Sequence, residues 1–345
     1  MSYPLSHAKH LVVIQPLVGI GDMVWHKPWI DELASQTQLT LAAKPTAQVT
    51  CLFPQQIDNG MQVLPIERSL RGRTGRHDGL SGVFRLASDL KKTQADTALI
   101  LHHSPRYALA CALAGIKTRI GYGHRKHSAF ITHGRTLDRA LHRNTHAIDR
   151  IAAFAQENGF GLDRPQWQLT PQQSHLDWAT SWLGEQCGTE LSQHENQFFI
   201  FGIGAMHGSR CWSAEKFAQL AEMISSSQLR RPLFILTGPD DVSFMQEVMR
   251  LAPADTPLYP LQVSLEKAIA VMAQASGFIG NDSGPLNIMA CLGVPALGLF
   301  SQSRPLKYSP HLYNLELFNE EEYGTEGLID RISADDVFNR MQQIW

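Results

Sequence analysis

The chain has 345 residues, of which 43% are hydrophobic and 18% are charged, and its formal net charge is -2. These values are typical of a globular protein with two domains, and they argue against a globally basic chain that binds nucleic acid. Five dispersed cysteines without a Cys-x-x-Cys pair, a polar N-terminus and no apolar run near ~20 residues predict a cytoplasmic protein without disulfides, signal peptide or membrane span.

In the first half of the chain, short apolar runs alternate with segments of helical periodicity. Strands are predicted at residues 11–15, 39–43, 63–66 and 97–101, and helices at 23–33, 46–53, 83–92, 107–114 and 146–156. This alternation predicts an α/β domain with a parallel sheet, which we place at residues 1–165.

A glycine-punctuated turn, Pro-Leu-Val-Gly-Ile-Gly-Asp at residues 16–22, joins the first strand to the first helix. Gly19 and Gly21 either let this turn approach a ligand closely or simply allow a tight bend. Asp22 ends the turn, and its ordinary structural role there would be to cap the helix that follows. The turn lacks the third glycine of a dinucleotide-binding fingerprint, which argues against a dehydrogenase.

Four arginines fall within nine positions of a glycine-containing segment: Arg68, Arg71, Arg73 and Arg76. Each guanidinium presents a planar fork of donors, which suits carboxylates and phosphates. A solvated surface loop is the alternative interpretation of the same residues.

Residues 159–171 are loop-like and predict a linker, after which the α/β alternation resumes in a second domain at residues 172–330. Strands are predicted at 198–203, 232–237, 277–279 and 294–300, and helices after Ser213, at 242–250 and at 265–275. A short amphipathic helix is predicted at 334–345.

The segment Gly-Asn-Asp-Ser-Gly-Pro-Leu-Asn at residues 280–287 lies between a predicted strand and a predicted helix. Pro285 suits the first turn of that helix, and Gly293 is placed to end it. Free backbone N–H groups and the helix dipole favour a diphosphate at this turn, where Asp282 and Ser283 would orient it. An Asx-turn that merely caps the helix is the alternative.

Four segments in order resemble those of glycosyltransferase family 9, the ADP-heptose:lipopolysaccharide heptosyltransferases. They lie at residues 12–23, at 204–217 (beginning Gly-Ala-Met-His-Gly-Ser-Arg-Cys-Trp), at 237–240 (Thr-Gly-Pro-Asp) and at 281–295. The resemblance implies a GT-B fold, with two Rossmann-like domains whose parallel sheets face a cleft and a C-terminal helix (331–345) that returns to the first domain. It also implies inverting, metal-independent chemistry, with the acceptor on the first domain and the sugar donor on the second.

The resemblance assigns roles to single residues. Asp22 would act as the catalytic base or stabilise positive charge at the anomeric carbon, although a helix N-terminus is expected to lower its pKa. Arg210 would neutralise the diphosphate, and Asp240, or Asp241 in its place, would bind the ribose. The remaining contacts expected are Asp282, Ser283, Gly284 and Asn287 for the donor, and Gly19, Gly21, Arg68, Arg71, Arg73 and Arg76 for the acceptor. Asn287 stands where many family members carry histidine, which leaves the donor sugar open.

The predicted function is transfer of a heptose or related sugar from an ADP-sugar to the lipopolysaccharide core, with no metal or other cofactor. The alternatives are another GT-B nucleotide-sugar enzyme, such as an epimerase or a transferase with a different donor, and a catalytically silent nucleotide- or carbohydrate-binding module. The expected partners are the donor and a lipid-linked saccharide, with peripheral contact at the cytoplasmic face of the inner membrane and no nucleic acid. The nucleotide base, the accepting core residue and the oligomeric state stay open at this point.

Overall fold

The structure, a computed structural model, describes residues 4–69, 74–123, 129–137, 145–194, 197–204 and 211–345. The chain forms two compact units, Met1–Trp167 and Gln168–Trp345. Each unit contains one parallel sheet with helices between its strands, so the predicted α/β class is confirmed.

The first unit is built on a five-stranded parallel sheet. Its strands are β1 (His10–Gln15), β2 (Gln38–Ala43), β3 (Gln62–Pro65), β4 (Thr97–Ile100) and β5 (Thr118–Gly121). They lie in the order β3-β2-β1-β4-β5, and Val13 of the central strand pairs with Leu41 on one side and Leu99 on the other. Every residue of β1 is buried, as an apolar run covered on both faces requires.

The α-helices described in the first unit are α1 (Ile20–Gln36), α2 (Val49–Leu52), α3 (Pro54–Asp58), α4 (Gly79–Lys92), α5 (Pro105–Leu113) and α6 (Ala147–Glu157). α1 starts three residues earlier than predicted, and Pro28 lies inside it. α4 and α5 pack together and bury Val83, Leu86 and Cys111 in one apolar cluster. Helices α1 to α5 lie in the connections between consecutive strands, and because the strands are parallel, all five strands end at the same edge.

The second unit has a six-stranded parallel sheet. Its strands are β6 (Phe199–Gly202), β7 (Leu233–Leu236), β8 (Leu258–Leu261), β9 (Gly277–Asn281), β10 (Ala296–Leu299) and β11 (Leu312–Asn314). They lie in the order β11-β10-β9-β6-β7-β8. Gly202 and Gly280 are register partners on the two central strands, and a Cβ on Gly280 would lie 2.4 Å from the Gly202 carbonyl oxygen. The strands therefore approach closely where they end.

Six α-helices are described in the second unit: α7 (Gln173–Gln193), α8 (Ala214–Ser225), α9 (Val242–Leu251), α10 (Leu265–Met272), α11 (Gly284–Leu292) and α12 (Ala334–Ile344). The C-terminal helix α12 packs within the second unit. Val337 and Met341 are buried in the core of the second unit, where α12 packs on α8. Trp345 contacts Phe199 and donates its indole N–H to the Ser276 carbonyl at 2.9 Å, so the C-terminal end of the helix is also held in the second unit.

Within the described ranges, no helix has both the length and the apolar character that crossing a bilayer requires.

Candidate functional site

The turn between β1 and α1 places a half-buried carboxylate at the carboxyl edge of the first sheet. Gly19 precedes the helix in an extended conformation, and its N–H donates to Oδ2 of Asp22 at 3.1 Å. Asp22 therefore lies in the first turn of α1 and bonds back to the residue before the helix, whereas the alternative from sequence made it the cap of a helix starting at Met23. Gly21 lies beside it in the same turn, half-buried.

Burial raises the pKa of Asp22 above its ordinary value, and this outweighs the Gly19 N–H bond and the charge of Arg150, which lower it. The expectation of a lowered pKa from the helix N-terminus is wrong, because loss of solvation is the larger effect. A carboxylate with a raised pKa is a stronger proton acceptor than an exposed one, which suits a general base.

A buried polar network supports this turn from within the first unit. His26 Nδ1 lies 2.7 Å from the Asp22 carbonyl, and Gln15 Nε2 donates to the same oxygen at 3.2 Å. The hydroxyl of Tyr122 lies 3.5 Å from His26 Nε2. Burial lowers the pKa of His26 to about 4, so the ring is neutral at pH 7 and donates from Nδ1 to the carbonyl. The network fixes the backbone that carries the carboxylate.

Three cations follow strand ends of the first sheet: Lys44 after β2, Arg68 after β3 and Arg106 in the first turn of α5. Burial first, and then the charge of Arg68, lower the pKa of both Lys44 and Arg106. Asp78 faces this cluster, with its Oδ1 3.4 Å from Arg68 Nε, and also accepts the N–H groups of Ser69 and Gly75. Positive charge exceeds negative charge in this group, which suits an anionic ligand.

The predicted acceptor arginines differ in their surroundings. Arg76 donates to both carboxylate oxygens of Asp89, at 2.6 and 3.3 Å, which gives it a partner that the sequence did not predict. Burial alone would raise the pKa of Asp89, but bonds from Lys92, His77 and Arg76 together lower it to about 2. Arg71 and Arg73 lie outside the described residues.

In the second unit, the segment between β9 and α11 forms the predicted turn. Ser283 precedes the helix with extended backbone and makes no side-chain capping bond. Its Oγ is buried and has no hydrogen-bond partner among the described residues. Asp282 accepts a hydrogen bond from Ser303, which follows β10, and Gly284 is the first residue of α11. The turn thus offers helix N–H groups and one buried, unpaired hydroxyl.

Asn287 lies one turn into α11 and is buried. Its Nδ2 donates to the Ser283 carbonyl at 2.9 Å, and its Oδ1 accepts from the Tyr308 hydroxyl at 2.8 Å. These bonds orient the amide and connect it to the backbone of the turn. Sequence reasoning did not find Tyr308, because nothing in its local pattern shows that it reaches α11.

Asn281, the last residue of β9, ties the turn to the loop after β6. Its Oδ1 accepts from the Trp212 N–H at 3.0 Å and its Nδ2 donates to the Ile203 carbonyl at 2.6 Å. The side chain is fully buried, so both bonds are protected from water. Arg210, the predicted diphosphate cation, lies outside the described residues, between these two anchored positions.

Asp240 is exposed after β7, whereas Asp241 is half-buried at the start of α9. A Cβ on Gly204 would lie 2.6 Å from Asp241 Oδ2, which places that carboxylate against the loop after β6. Burial raises the pKa of Asp241, and the charge of Asp240 raises it further despite the Gly238 N–H bond. The alternative aspartate is therefore the one that faces the carboxyl edge of the sheet.

In the described part of the chain, no cluster of three or more His, Cys, Asp or Glu side chains is placed to hold a metal ion.

Residues 83–326 match the model of glycosyltransferase family 9 (heptosyltransferase). Lipopolysaccharide heptosyltransferase 2 of Salmonella typhimurium is 24% identical over 229 residues, which cover 64% of this chain and 64% of that protein, just under two thirds of its length. Lipopolysaccharide heptosyltransferase 3 of Escherichia coli is 23% identical, with 94% of this chain and 95% of that protein aligned. The structure of E. coli ADP-heptose lps heptosyltransferase II aligns with a TM-score of 0.74 at 18% identity, over 97% of this chain and 98% of that chain.

Two Rossmann-like units, each with a polar site at the carboxyl edge of its parallel sheet, define a GT-B protein. The family match covers more than half of the sequence, and the chain belongs to glycosyltransferase family 9 (heptosyltransferase). The predicted family and fold class are confirmed.

Proposed function

We propose that the protein is an inverting, metal-independent glycosyltransferase that moves a heptose from ADP-heptose to the lipopolysaccharide core. The observation that carries the proposal is the Asp22 carboxylate, which burial makes more basic at the carboxyl edge of the first sheet. The names of the relatives, which are lipopolysaccharide heptosyltransferases, support the substrate class.

In the proposed reaction, Asp22 removes the proton of the acceptor hydroxyl as its oxygen attacks the anomeric carbon. The new carbon–oxygen bond forms on the face opposite the diphosphate, the bond from the anomeric carbon to the diphosphate oxygen breaks, and ADP leaves with the electron pair. Attack from the opposite face inverts the configuration. The Gly19 N–H bond and the His26–Gln15 support hold the carboxylate and its backbone in place for this step.

The turn at Ser283 is the proposed diphosphate site. The buried Ser283 Oγ has no hydrogen-bond partner among the described residues and lies at the N-terminus of α11, where backbone N–H groups and the helix dipole favour an anion, so a leaving diphosphate would supply its acceptor. Asp241 is positioned for the ribose better than Asp240, because it lies at the carboxyl edge of the sheet.

On the acceptor side, we assign the anionic inner core to the cluster of Lys44, Arg68 and Arg106. The charge of Asp78 acts on all three of these cations, and its Oδ2 already accepts two backbone N–H groups. A phosphate or carboxylate of the core would bring negative charge to Lys44 and Arg106, whose pKa values are lowered first by burial and then by the charge of Arg68. This acceptor implies work at the cytoplasmic face of the inner membrane.

The test is a transfer assay with ADP-heptose and a lipopolysaccharide core that lacks the accepted heptose, run with EDTA and with magnesium. We expect ADP release and a heavier acceptor under both conditions, and a loss of at least a hundredfold in kcat for Asp22→Asn. Asp149→Asn, which alters an exposed carboxylate of the same unit, is the matched control and should retain activity.

Other outcomes separate the alternatives. Breakdown of the donor without acceptor would favour a nucleotide-sugar hydrolase or epimerase. Turnover only with UDP- or GDP-sugars would show that the donor carries a nucleotide other than ADP. Full activity in Asp22→Asn would remove both catalytic roles of this residue, and absence of nucleotide binding would leave a silent carbohydrate-binding module.

A further inference from the structure

Helix α4 presents two large apolar side chains to solvent. Leu80 is 85% exposed and Phe84 is 64% exposed, and their i, i+4 spacing places them on one side of the helix. The opposite side of α4 is buried through Val83, Leu86 and Leu90, so the helix is fully packed without them. Neither residue is needed for the core of the first unit.

The exposed side of α4 also carries Arg85, Lys91 and Lys92. The one acidic residue of the helix, Asp89, is turned inward with a side-chain exposure of 8% and bonds to Arg76, His77 and Lys92. The outward surface therefore combines apolar side chains with cations and has no carboxylate on the helix itself. This combination is typical of a helix that lies at an anionic membrane interface.

The start of α4 is held rigidly. The guanidinium of Arg106 donates to the carbonyls of His77 and Gly79 at 2.8 Å each, and Arg85 donates to the Arg76 carbonyl at 3.1 Å. Leu80 follows directly on this anchored segment. A preformed surface loses little conformational freedom when it binds, so a small apolar area is enough to contribute to docking.

We propose that the exposed face of α4, formed by Leu80, Phe84, Arg85, Lys91 and Lys92, docks the protein on an anionic lipid bilayer. The apolar pair enters the interface between headgroups and acyl chains, and the cations contact lipid phosphates. A second copy of the chain fits this face poorly, because an isologous contact would bring the same three cations together on both sides. The biological purpose of this docking rests on the proposed function, because a lipid-linked acceptor lies in a membrane.

The experiment measures flotation of the purified full-length chain with vesicles of phosphatidylcholine containing 30% phosphatidylglycerol, and with pure phosphatidylcholine, as ~0.3 mole fraction gives a strongly anionic surface. We expect binding to the anionic vesicles that weakens with salt. Leu80→Ser/Phe84→Ser and Arg85→Gln/Lys91→Gln should each reduce it by roughly tenfold. The matched control is Leu113→Ser/Leu317→Ser, which removes two exposed leucines elsewhere and should bind normally.

Equal vesicle binding by the Leu80→Ser/Phe84→Ser variant and the control would overturn the proposal. So would a dimer in analytical ultracentrifugation that this variant abolishes, since the face would then be a self-contact. No donor or acceptor is present in the flotation assay, so its result is independent of heptose transfer. Transfer to a delipidated core oligosaccharide, which needs no membrane, should be equal in all these variants and tests the proposed function separately.

Discussion

The N–H of Gly19 donates to Oδ2 of Asp22, and a Cβ at position 19 would lie 2.9 Å from the same oxygen. The backbone of Gly19, at φ -91° and ψ 148°, is open to alanine, so only the side chain would be in conflict. We expect Gly19→Ala to displace the carboxylate and reduce kcat about tenfold or more, with a change below about 1 kcal/mol in the free energy of unfolding. Steady-state kinetics and urea unfolding measure both; Gly184→Ala, which meets open space, should leave kcat unchanged.

The pH dependence of transfer should report Asp22. Because burial raises its pKa, the rate should begin to fall on acidification above the usual carboxyl range, where the carboxylate becomes protonated. The charge of Arg150 opposes this shift, so Arg150→Gln should raise the pKa of Asp22 further and move the acid limb of kcat/KM to higher pH. An acid limb that stays at the wild-type pH would contradict the role of Asp22; Arg230→Gln, in the second unit, is the control.

The bond from Tyr308 to Asn287 should affect donor binding. Tyr308→Phe leaves Asn287 Oδ1 without this partner and loosens the amide that holds the Ser283 carbonyl. We expect ADP affinity to fall by roughly fivefold, the effect of about 1 kcal/mol from one hydrogen bond, and kcat to change less. Calorimetric titration with ADP measures this, with Tyr323→Phe as the control.

A histidine at position 287 gives a second readout of this pair. The Asn287→His variant alone should bind ADP more weakly, because the larger ring meets the Tyr308 hydroxyl. Combining it with Tyr308→Phe should improve ADP binding over that of the single variant. Additive effects of the two changes would show that the residues do not act together.

Asn281 should be a major contributor to the stability of the second unit. Replacing it with leucine keeps the number of side-chain heavy atoms but leaves the Trp212 N–H and the Ile203 carbonyl buried without these bonds. We expect a loss of about 2–4 kcal/mol in the free energy of unfolding, from two orphaned backbone groups. Denaturant unfolding checks the value against Asn319→Ala, an exposed amide that should be neutral; a loss below about 1 kcal/mol for Asn281→Leu would show that the bonds are weak.

His26 should make the protein less stable in acid. Its pKa is about 4 when folded and 6.5 as a free side chain, so the unfolded chain binds more protons between these values and stability falls as pH decreases through this window. The full effect is about 3 kcal/mol by the linkage of 1.36 kcal/mol per pH unit. His26→Gln should flatten the change in urea midpoint between pH 7.5 and 5, and an unchanged slope would contradict the buried neutral ring.

Asp31, on the same helix, acts in the opposite direction. Burial raises the pKa of Asp31 to about 6 despite the charge of Lys27. Its contribution to the stability of the folded state is therefore present at low pH and is lost as pH rises through 6. The pH dependence of stability in the wild-type protein therefore combines the opposed effects of His26 and Asp31, and the His26→Gln variant separates them.

The sequence predicted the central strands and the edge strand β3, and missed the other three edge strands: β5, β8 and β11. Central parallel strands are covered on both faces and read as continuous apolar runs, whereas edge strands are only partly covered. β8 even contains Pro260, which an edge position tolerates because one side of the strand needs no donor. The helix Gln173–Gln193 was also missed, since its few buried residues stand among polar ones.

For the site, local sequence located the two turns but not what supports them. Asp22 and Ser283 follow strand ends within recognisable segments, so their neighbourhood was predictable. Tyr308 and Arg150 act on these turns from segments far along the chain, and only the folded structure brings them near. The direction of the Asp22 pKa shift also depended on burial, which the helix N-terminus alone did not reveal.

The anchoring of Ile203 and Trp212 by one side chain has a consequence for engineering. Both ends of the intervening segment are fixed to the central strand through Asn281, so exchange of residues 204–211 for those of a relative has defined junctions. A chimaera joined at these two positions retains the register of β6 and β9. This segment carries Arg210, which the family resemblance predicts to meet the diphosphate, so we expect such grafts to alter donor binding while the bonds of Asn281 are kept.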